Sequence, residues 1–269
     1  MIEMIDISEH NVRRGAINWN QVRAAGILGV MIRVGWAGYE GGIATNNAVD
    51  QSLETSIRGA HAAGLNVGLY VYTYTKTPIA ARKAALECVE IAKRYPNIIN
   101  LPIAFDVEET AIPCLIQQGR KGLTNTVIAF LDECKRLGYY AVWYTYTAFA
   151  IQYLDRARLA GYDLWIADYR GSEGLMQSQL GRKNYGMWQY IGDKGTCTGV
   201  IGPCDRNYCY IDYPAAISAA GLNGLITDSP NYQKLYETEK IQRERLQSEL
   251  VIAQEKAIKF DQIKAIAVE

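Results

Sequence analysis

Hydrophobic positions along the chain come in short runs separated by amphipathic stretches, and the alternation begins with the first residues. Residues 3–8 (EMIDIS), 29–35 (GVMIRVG), 67–74 (VGLYVYTY), 101–107 (LPIAFDV) and 140–146 (YAVWYTY) are rich in β-branched and aromatic side chains and predict strands. Three shorter runs, at 164–167, 186–190 and 208–211, predict further strands. Helical periodicity fills 19–25, 46–63, 78–95 and 123–137, with a short piece at 149–154. Gly64 closes the second of these helices, and Pro78 sits in the first turn of the third. Strands alternating with helices imply a parallel sheet with right-handed crossovers. Eight strands within about 210 residues fit a closed barrel better than an open sheet. No Gly-rich phosphate loop follows the first strand, which argues against a dinucleotide fold. The predicted class is therefore α/β, an irregular (β/α) barrel with fewer helices than strands, its later third thinned of helices.

In such a barrel the functional groups gather at the C-terminal ends of the strands. The run at 101–107 ends in Asp106, Glu108 and Glu109, and strand alternation puts Asp106 and Glu108 on one face with Glu109 turned away. Asp6 ends the first strand and Asp205 lies beside the last. Tyr70, Tyr72, Tyr144, Tyr146, Asp168, Tyr169, Trp188 and Tyr190 end the others. Paired acids at an aromatic-walled mouth suit glycosidic cleavage, one acid delivering a proton and the other supporting the developing cation. Glu108, with the longer reach, suits proton delivery. The bland alternatives stay open here. Asp106 and Glu108 also suit a hard cation, Asp6 a strand-end cap, Asp205 a solvated pair with Arg206, and the 188–190 run barrel packing.

The 269 residues are 49% hydrophobic with a formal net charge of zero, so composition gives no electrostatic reason to invoke nucleic acid or an anionic membrane. No apolar run approaches a membrane span. The N-terminus lacks the basic and long apolar regions of a signal peptide, which predicts synthesis in the cytoplasm without an export signal. Nineteen tyrosines against four phenylalanines favour surfaces that can both stack and hydrogen-bond. Cys88 and Cys134 fall in helices as buried thiols, whereas Cys197, Cys204 and Cys209 cluster in a predicted loop, with one disulfide or none. No Cys-x-x-Cys pair occurs, and His10 and His61 are distant, so no metal and no cofactor is expected.

The order and spacing of IDISEHN (5–11), GVMIRVG (29–35), VGLYVYTY (67–74), AFDVEE (104–109), VWYTYTAF (142–149), LWIADY (164–169), MWQY (187–190) and CDRNYC (204–209) resemble glycoside hydrolase family 25, the Chalaropsis-type lysozymes common among phage endolysins. The resemblance spans residues 5 to about 214. It implies cleavage of the β-1,4 bond between N-acetylmuramic acid and N-acetylglucosamine, with bacterial peptidoglycan as partner and action on the wall after holin-mediated release. By position, Glu108 looks like the general acid/base, and Asp6, Asp106 and Asp205 complete the acidic groove. Tyr70, Tyr144, Trp188 and Tyr190 fall where the family lines its cleft, with Asp168, Tyr169, Arg33 and Asn207 as further substrate-binding positions. Asp106 is implied either as a nucleophile or as the group that orients the substrate's acetamido. Arg33 stands where many members carry lysine, and the cysteines around Asp205 are not a general family feature.

Beyond residue 222 the composition changes, which predicts a barrel over 1–222 and a helical tail over 223–269. From Asn231 onward there is no glycine or proline, and Leu246, Leu250, Ala253, Ala257 and Phe260 repeat at 4-3-4-3 spacing. That tail offers self-association into a homo-oligomer, packing on the barrel, or an arm for wall or partner binding, with a frayed solvated helix as the plain alternative. Two rivals to an enzyme follow from the same residues. One is a non-catalytic sugar-binding barrel, which should have lost an acid. The other is a wall-degrading module of a phage structural protein, in which the tail would be the assembly element.

Overall fold

In the computed structural model, which describes residues 1–108, 113–181 and 185–225, eight strands close into a barrel in sequence order. The first half runs β1 (Ile2–Ile7), α1 (Glu9–Val12), α2 (Trp19–Ala24), β2 (Gly29–Ala37), α3 (Leu53–Ala62), β3 (Asn66–Thr73), α4 (Pro78–Ala92) and β4 (Ile99–Asp106). The second half runs α5 (Gly119–Arg136), β5 (Ala141–Tyr146), α6 (Thr147–Tyr153), β6 (Leu164–Ala167), α7 (Glu173–Leu180), β7 (Met187–Ile191), β8 (Asp205–Cys209) and α8 (Tyr213–Ala219). Strands β1 to β7 pair in parallel, as the alternation predicted. β8 departs from that pattern, pairing antiparallel with both β7 and β1. A crossover helix is what turns a chain round for a parallel return, and none occurs between β7 and β8. No helix among the described residues is long and apolar enough to cross a membrane.

Two apolar layers hold the barrel. Ile5, Ile7, Val30, Ile32, Val67, Leu69, Ile103 and Phe105 point outward against the helices, and Phe105 stacks on Phe130 of α5 with ring centroids 4.2 Å apart. Cys88 of α4 and Cys134 of α5 are fully buried thiols in this layer, as expected from helix periodicity. The inward-facing alternates Met4, Met31, Ala104, Val142, Trp165 and Met187 fill the barrel's lower half, closed by Tyr213 and Ile217 of α8. Gly68 is required there. A Cβ at this position would lie 2.4 Å from the Met31 sulfur and 2.8 Å from Leu101 Cβ. Below the plug, Asn223 accepts from Tyr140 N–H and donates to the Ile99 and Leu101 carbonyls, tying the turn after α8 to the base of two strands.

Several boundaries differ from expectation for local reasons. The helix expected over 46–63 begins only at Leu53. Asn47 is left-handed (φ 52°), Val49 bridges Gly35, and Asp50 Oδ1 accepts from both Ser52 N–H and Ser52 Oγ, so one tertiary bridge and a local turn hold that stretch out of helix. Helix α1 is too short to show periodicity and exists through a capping box between Ser8 and Asn11. Helix α7, rich in Ser, Gln and Gly, was missed for want of an apolar stripe. The last strand starts at Asp205, three residues earlier than predicted. Asp205 and Cys209 therefore belong to a strand and not to a loop. Glu109 and the predicted tail helix lie outside the described residues.

Candidate active site

The inward row that continues above the apolar plug is polar. Asp6 follows Met4 on β1, Arg33 follows Met31 on β2, Asp106 follows Ala104 on β4, Tyr144 follows Val142 on β5, and Gln189 follows Met187 on β7. On antiparallel β8 the order inverts. Asp205, the first residue of the strand, pairs with Asp6, and Asn207 with Met4 on one side and Gln189 on the other. Reversing the last strand thus brings its N-terminal acid to the mouth where the parallel strands end. These side chains line one open cleft with about 860 Å³ of free space, together with Tyr70, Tyr72, Glu108 and Trp165. Ser8, His10, Asn11, Arg14, Asp193 and Pro203 form its rim. Asn11 Nδ2 donates to the Pro203 carbonyl (3.0 Å), joining the β1–α1 and β7–β8 connections.

The acids crowd strongly. Asp106 is only 4% exposed. Burial lifts its carboxyl well above the usual range, the charges of Glu108 and Asp6 add to the lift, and Arg33 opposes it. Its Oδ1 has no hydrogen-bond partner among the described residues. Asp6 accepts from Asn207 Nδ2 (2.8 Å) and Gln189 Nε2 (2.9 Å), both on Oδ2. Burial pushes Asp6 up to about 6 against those bonds, and burial with the charges of Asp6, Asp193 and Glu108 pushes Asp205 up to about 8. The two face each other across β1 and β8. Two amide donors favour charge on Asp6, so the pair's proton rests on Asp205 and is donated to Asp6. Tyr70 and Tyr144, pushed upward chiefly by burial, stay neutral phenols.

Arg33 reaches the cleft from below, held by Asp50 (Nε–Oδ2, 2.9 Å) and Glu9 (Nη2–Oε1, 3.5 Å). A one-residue bulge follows it in β2, so Trp36 returns to the cleft side and pairs in register with Tyr72. The Arg33 guanidinium lies 5.7 Å from the Trp36 ring centroid. Among the described residues, no group of three or more His, Cys, Asp or Glu side chains is arranged to hold a metal ion.

Of the residues singled out from sequence, Asp6, Arg33, Tyr70, Tyr72, Asp106, Glu108, Tyr144 and Asp205 converge on the cleft. Six do not line it, Tyr146 among them. Trp188 and Tyr190 sit on the outward alternates of β7. Trp188 is buried and donates to the Asp168 carbonyl (3.0 Å), and Tyr190 stacks on Tyr208 at 4.4 Å with its hydroxyl on Glu3. Asp168 binds Arg170 and Thr147; burial alone would raise it, but those partners hold it below the ordinary carboxylate range. Asn207 is fully buried, spanning Trp165 Nε1 and Asp6. Tyr169 is exposed at the rim with its hydroxyl on Gln189. The side chain that sequence reasoning missed is Gln189, which the period-two alternation of 187–190 places inward in place of its two aromatic neighbours.

A model for "Glycosyl hydrolases family 25" matches residues 5–200. The chain belongs to glycosyl hydrolases family 25. Within this family it is similar in fold to the CTP1L endolysin, with a TM-score of 0.63 and 22% identity over 82% of this chain and 70% of that one. It is also similar to the modular autolysin LytC from Streptococcus pneumoniae in complex with a synthetic peptidoglycan ligand, at 25% identity and a TM-score of 0.62 over 78% of this chain and 46% of LytC. A curated relative, the D-alanyl-L-alanine endopeptidase of Streptococcus phage B30, is 28% identical over 132 residues, 44% of this chain. The match spans only 28% of that protein's length. All six cysteines are free thiols, so of the two expectations for Cys197, Cys204 and Cys209 the structure has no disulfide, and the Cys209 thiol donates to the Ile211 carbonyl.

Proposed function

We propose that this member of family 25 is a muramidase, hydrolysing the β-1,4 bond between N-acetylmuramic acid and N-acetylglucosamine in bacterial peptidoglycan. The observation that carries the reading is the pair at the end of β4, a half-buried Glu108 at the mouth beside a buried Asp106 whose Oδ1 has no partner among the described residues. An unsatisfied buried carboxylate oxygen is costly unless a ligand donates to it. The N–H of a 2-acetamido group is such a donor, and both sugars of the strand carry one. In the free site, burial keeps a proton on Asp106. When the acetamido N–H reaches Oδ1, ionised Asp106 is favoured and the pair's proton passes to Glu108.

The step then balances on this chain's own groups. The acetamido carbonyl oxygen attacks the anomeric carbon as the glycosidic C–O bond breaks, and Glu108 transfers its proton to the leaving oxygen. Glu108, now a carboxylate, removes a proton from the water that opens the cyclic intermediate and returns the acetamido group. Tyr70 and Tyr144 are neutral hydrogen-bonding walls of the same cleft. The presence of all four acids favours catalysis over a sugar-binding role that had lost one. Likeness to a phage endolysin supports wall lysis after release from the cell that makes the enzyme.

Digestion of purified peptidoglycan, with analysis of the new reducing ends, tests the reading. Wild type should release ends in N-acetylmuramic acid, and Glu108→Gln should lose activity by at least about a hundredfold. Reducing N-acetylglucosamine ends would refute the muramidase assignment. Undiminished cleavage of a substrate without the acetamido group would refute the role of Asp106.

A further inference from the structure

We propose that Gln189 is a positioning residue of the acid cluster, whose carboxamide is locked by two tyrosine hydroxyls so that both its N–H groups reach the facing carboxyls of Asp6 and Asp205 and fix the ionised member as Asp6. Gln189 is 2% exposed and points inward from β7. Its Oε1 accepts from Tyr144 Oη at 2.8 Å and from Tyr169 Oη. Its Nε2 donates to Asp6 Oδ2 at 2.9 Å and to Asp205 Oδ2 at 3.4 Å. An amide oxygen only accepts and an amide nitrogen only donates. Turned the other way, the side chain would aim its oxygen at two carboxyls, so only one orientation satisfies all four neighbours.

That orientation is asymmetric between the acids. Asp6 Oδ2 receives a close Gln189 bond and a second amide, Asn207 Nδ2 at 2.8 Å, whereas Asp205 receives the longer bond alone. Charge on Asp6 is therefore solvated by two fixed dipoles, and Asp205 is left as the donor of the pair. Other charged or titratable groups face the pair from every side. They are Asp106 of β4 and Glu108 just beyond it, Arg33 of β2, Tyr70 of β3, Tyr144 of β5, Tyr169 after β6, Asp193 after β7 and Cys204 before β8. Arg33 is the cation within this ring, with Arg14 and His10 at the rim of the same cleft. Without the Gln189 amide, Asp6 faces this largely acidic surround with one donor in place of two.

The inference rests on the muramidase reading only for its kinetic readout, because the ionisation order can be read directly. The experiment is carbon-13 NMR titration of aspartate-labelled full-length protein alongside the pH profile of peptidoglycan cleavage, for wild type, Gln189→Met and Tyr169→Phe. Gln189→Met keeps the volume and removes all four bonds. It should raise the Asp6 midpoint by about one pH unit, the effect of losing one charge-assisted bond. The acid limb of kcat/KM should move upward with it. Tyr169→Phe, at the exposed rim, loosens the amide without unpacking the barrel and should shift both readouts the same way by less. A merely structural role would lower activity or Tm and leave the midpoints unmoved. Unmoved midpoints in a folded Gln189→Met protein overturn the inference, and if that variant does not fold, unmoved midpoints in Tyr169→Phe do so. Shifted midpoints in a protein whose wild type leaves peptidoglycan intact would sink the proposed activity and sustain the inference.

Discussion

Replacing Asp6 by asparagine should make the protein more stable at alkaline pH. Asp6 is 7% exposed, and burial raises its carboxyl from 3.8 to about 6. The folded state therefore holds a proton through a window in which the unfolded chain has already released it. More protons bound in the folded state means that stability falls as pH rises. The favourable contribution is complete below the unfolded value and is lost through the folded one. A shift of roughly two units, at about 1.4 kcal/mol each, amounts to about 3 kcal/mol by pH ~8. Asparagine has nearly the same shape, its oxygen still accepts from Gln189 and Asn207, and its N–H₂ can donate to Asp205. Urea unfolding followed by tryptophan fluorescence is a suitable assay, since the chain has five tryptophans. At pH ~8 the Asp6→Asn midpoint should exceed wild type by about 1 M urea, given slopes of about 2–3 kcal/mol per molar. Near pH 4 the two curves should coincide. A variant less stable than wild type by the same margin at both pH values would refute the reasoning, because it would show that ionised Asp6 is a net stabiliser.

Further outcomes follow from single contacts elsewhere. Asn223→Ala removes three hydrogen bonds below the barrel, two of them buried, and should lower unfolding free energy by about 3 kcal/mol, measured by the same urea titration, with cleavage unaffected at temperatures where the variant stays folded. Gly35→Ala should destabilise by at least about 2 kcal/mol and lower activity together, since Gly35 has φ +148° and its new Cβ would meet the Ala48 carbonyl oxygen at 2.0 Å, displacing the bulge beside Arg33. Normal stability and activity in that variant would show that the bulge relaxes without consequence.

The barrel was legible because burial on both faces writes continuous apolar runs, as in 101–107, and because crossover helices such as α4 and α5 have long apolar faces. Asp106 and Glu108 were legible because acids ending such a run are out of place. What the alternation could not show was the direction of β8. A five-residue strand carries no polarity in its pattern, and only the helix-free connection before it hints at reversal. The misplacement of Trp188 and Tyr190 has a simpler origin. Aromatic type was allowed to outweigh period two, which already put Gln189 on the face of Met187. The late start of α3 lay only partly beyond local reading, since the Val49 bridge comes from the distant Gly35 backbone whereas the Asp50–Ser52 bonds form a local turn.

The reversed last strand also sets when the site comes into being. Asp6 lies on β1, yet the groups that touch its carboxylate are Gln189, Asp205 and Asn207, roughly two hundred positions later. Until β7 and β8 dock against β1, the open sheet has an unpaired edge and Asp6 lacks the amide and carboxyl partners that later touch it. The contact that closes the barrel is thus the contact that completes the acid cluster. A chain that stops short of β8 (Asp205–Cys209) has neither.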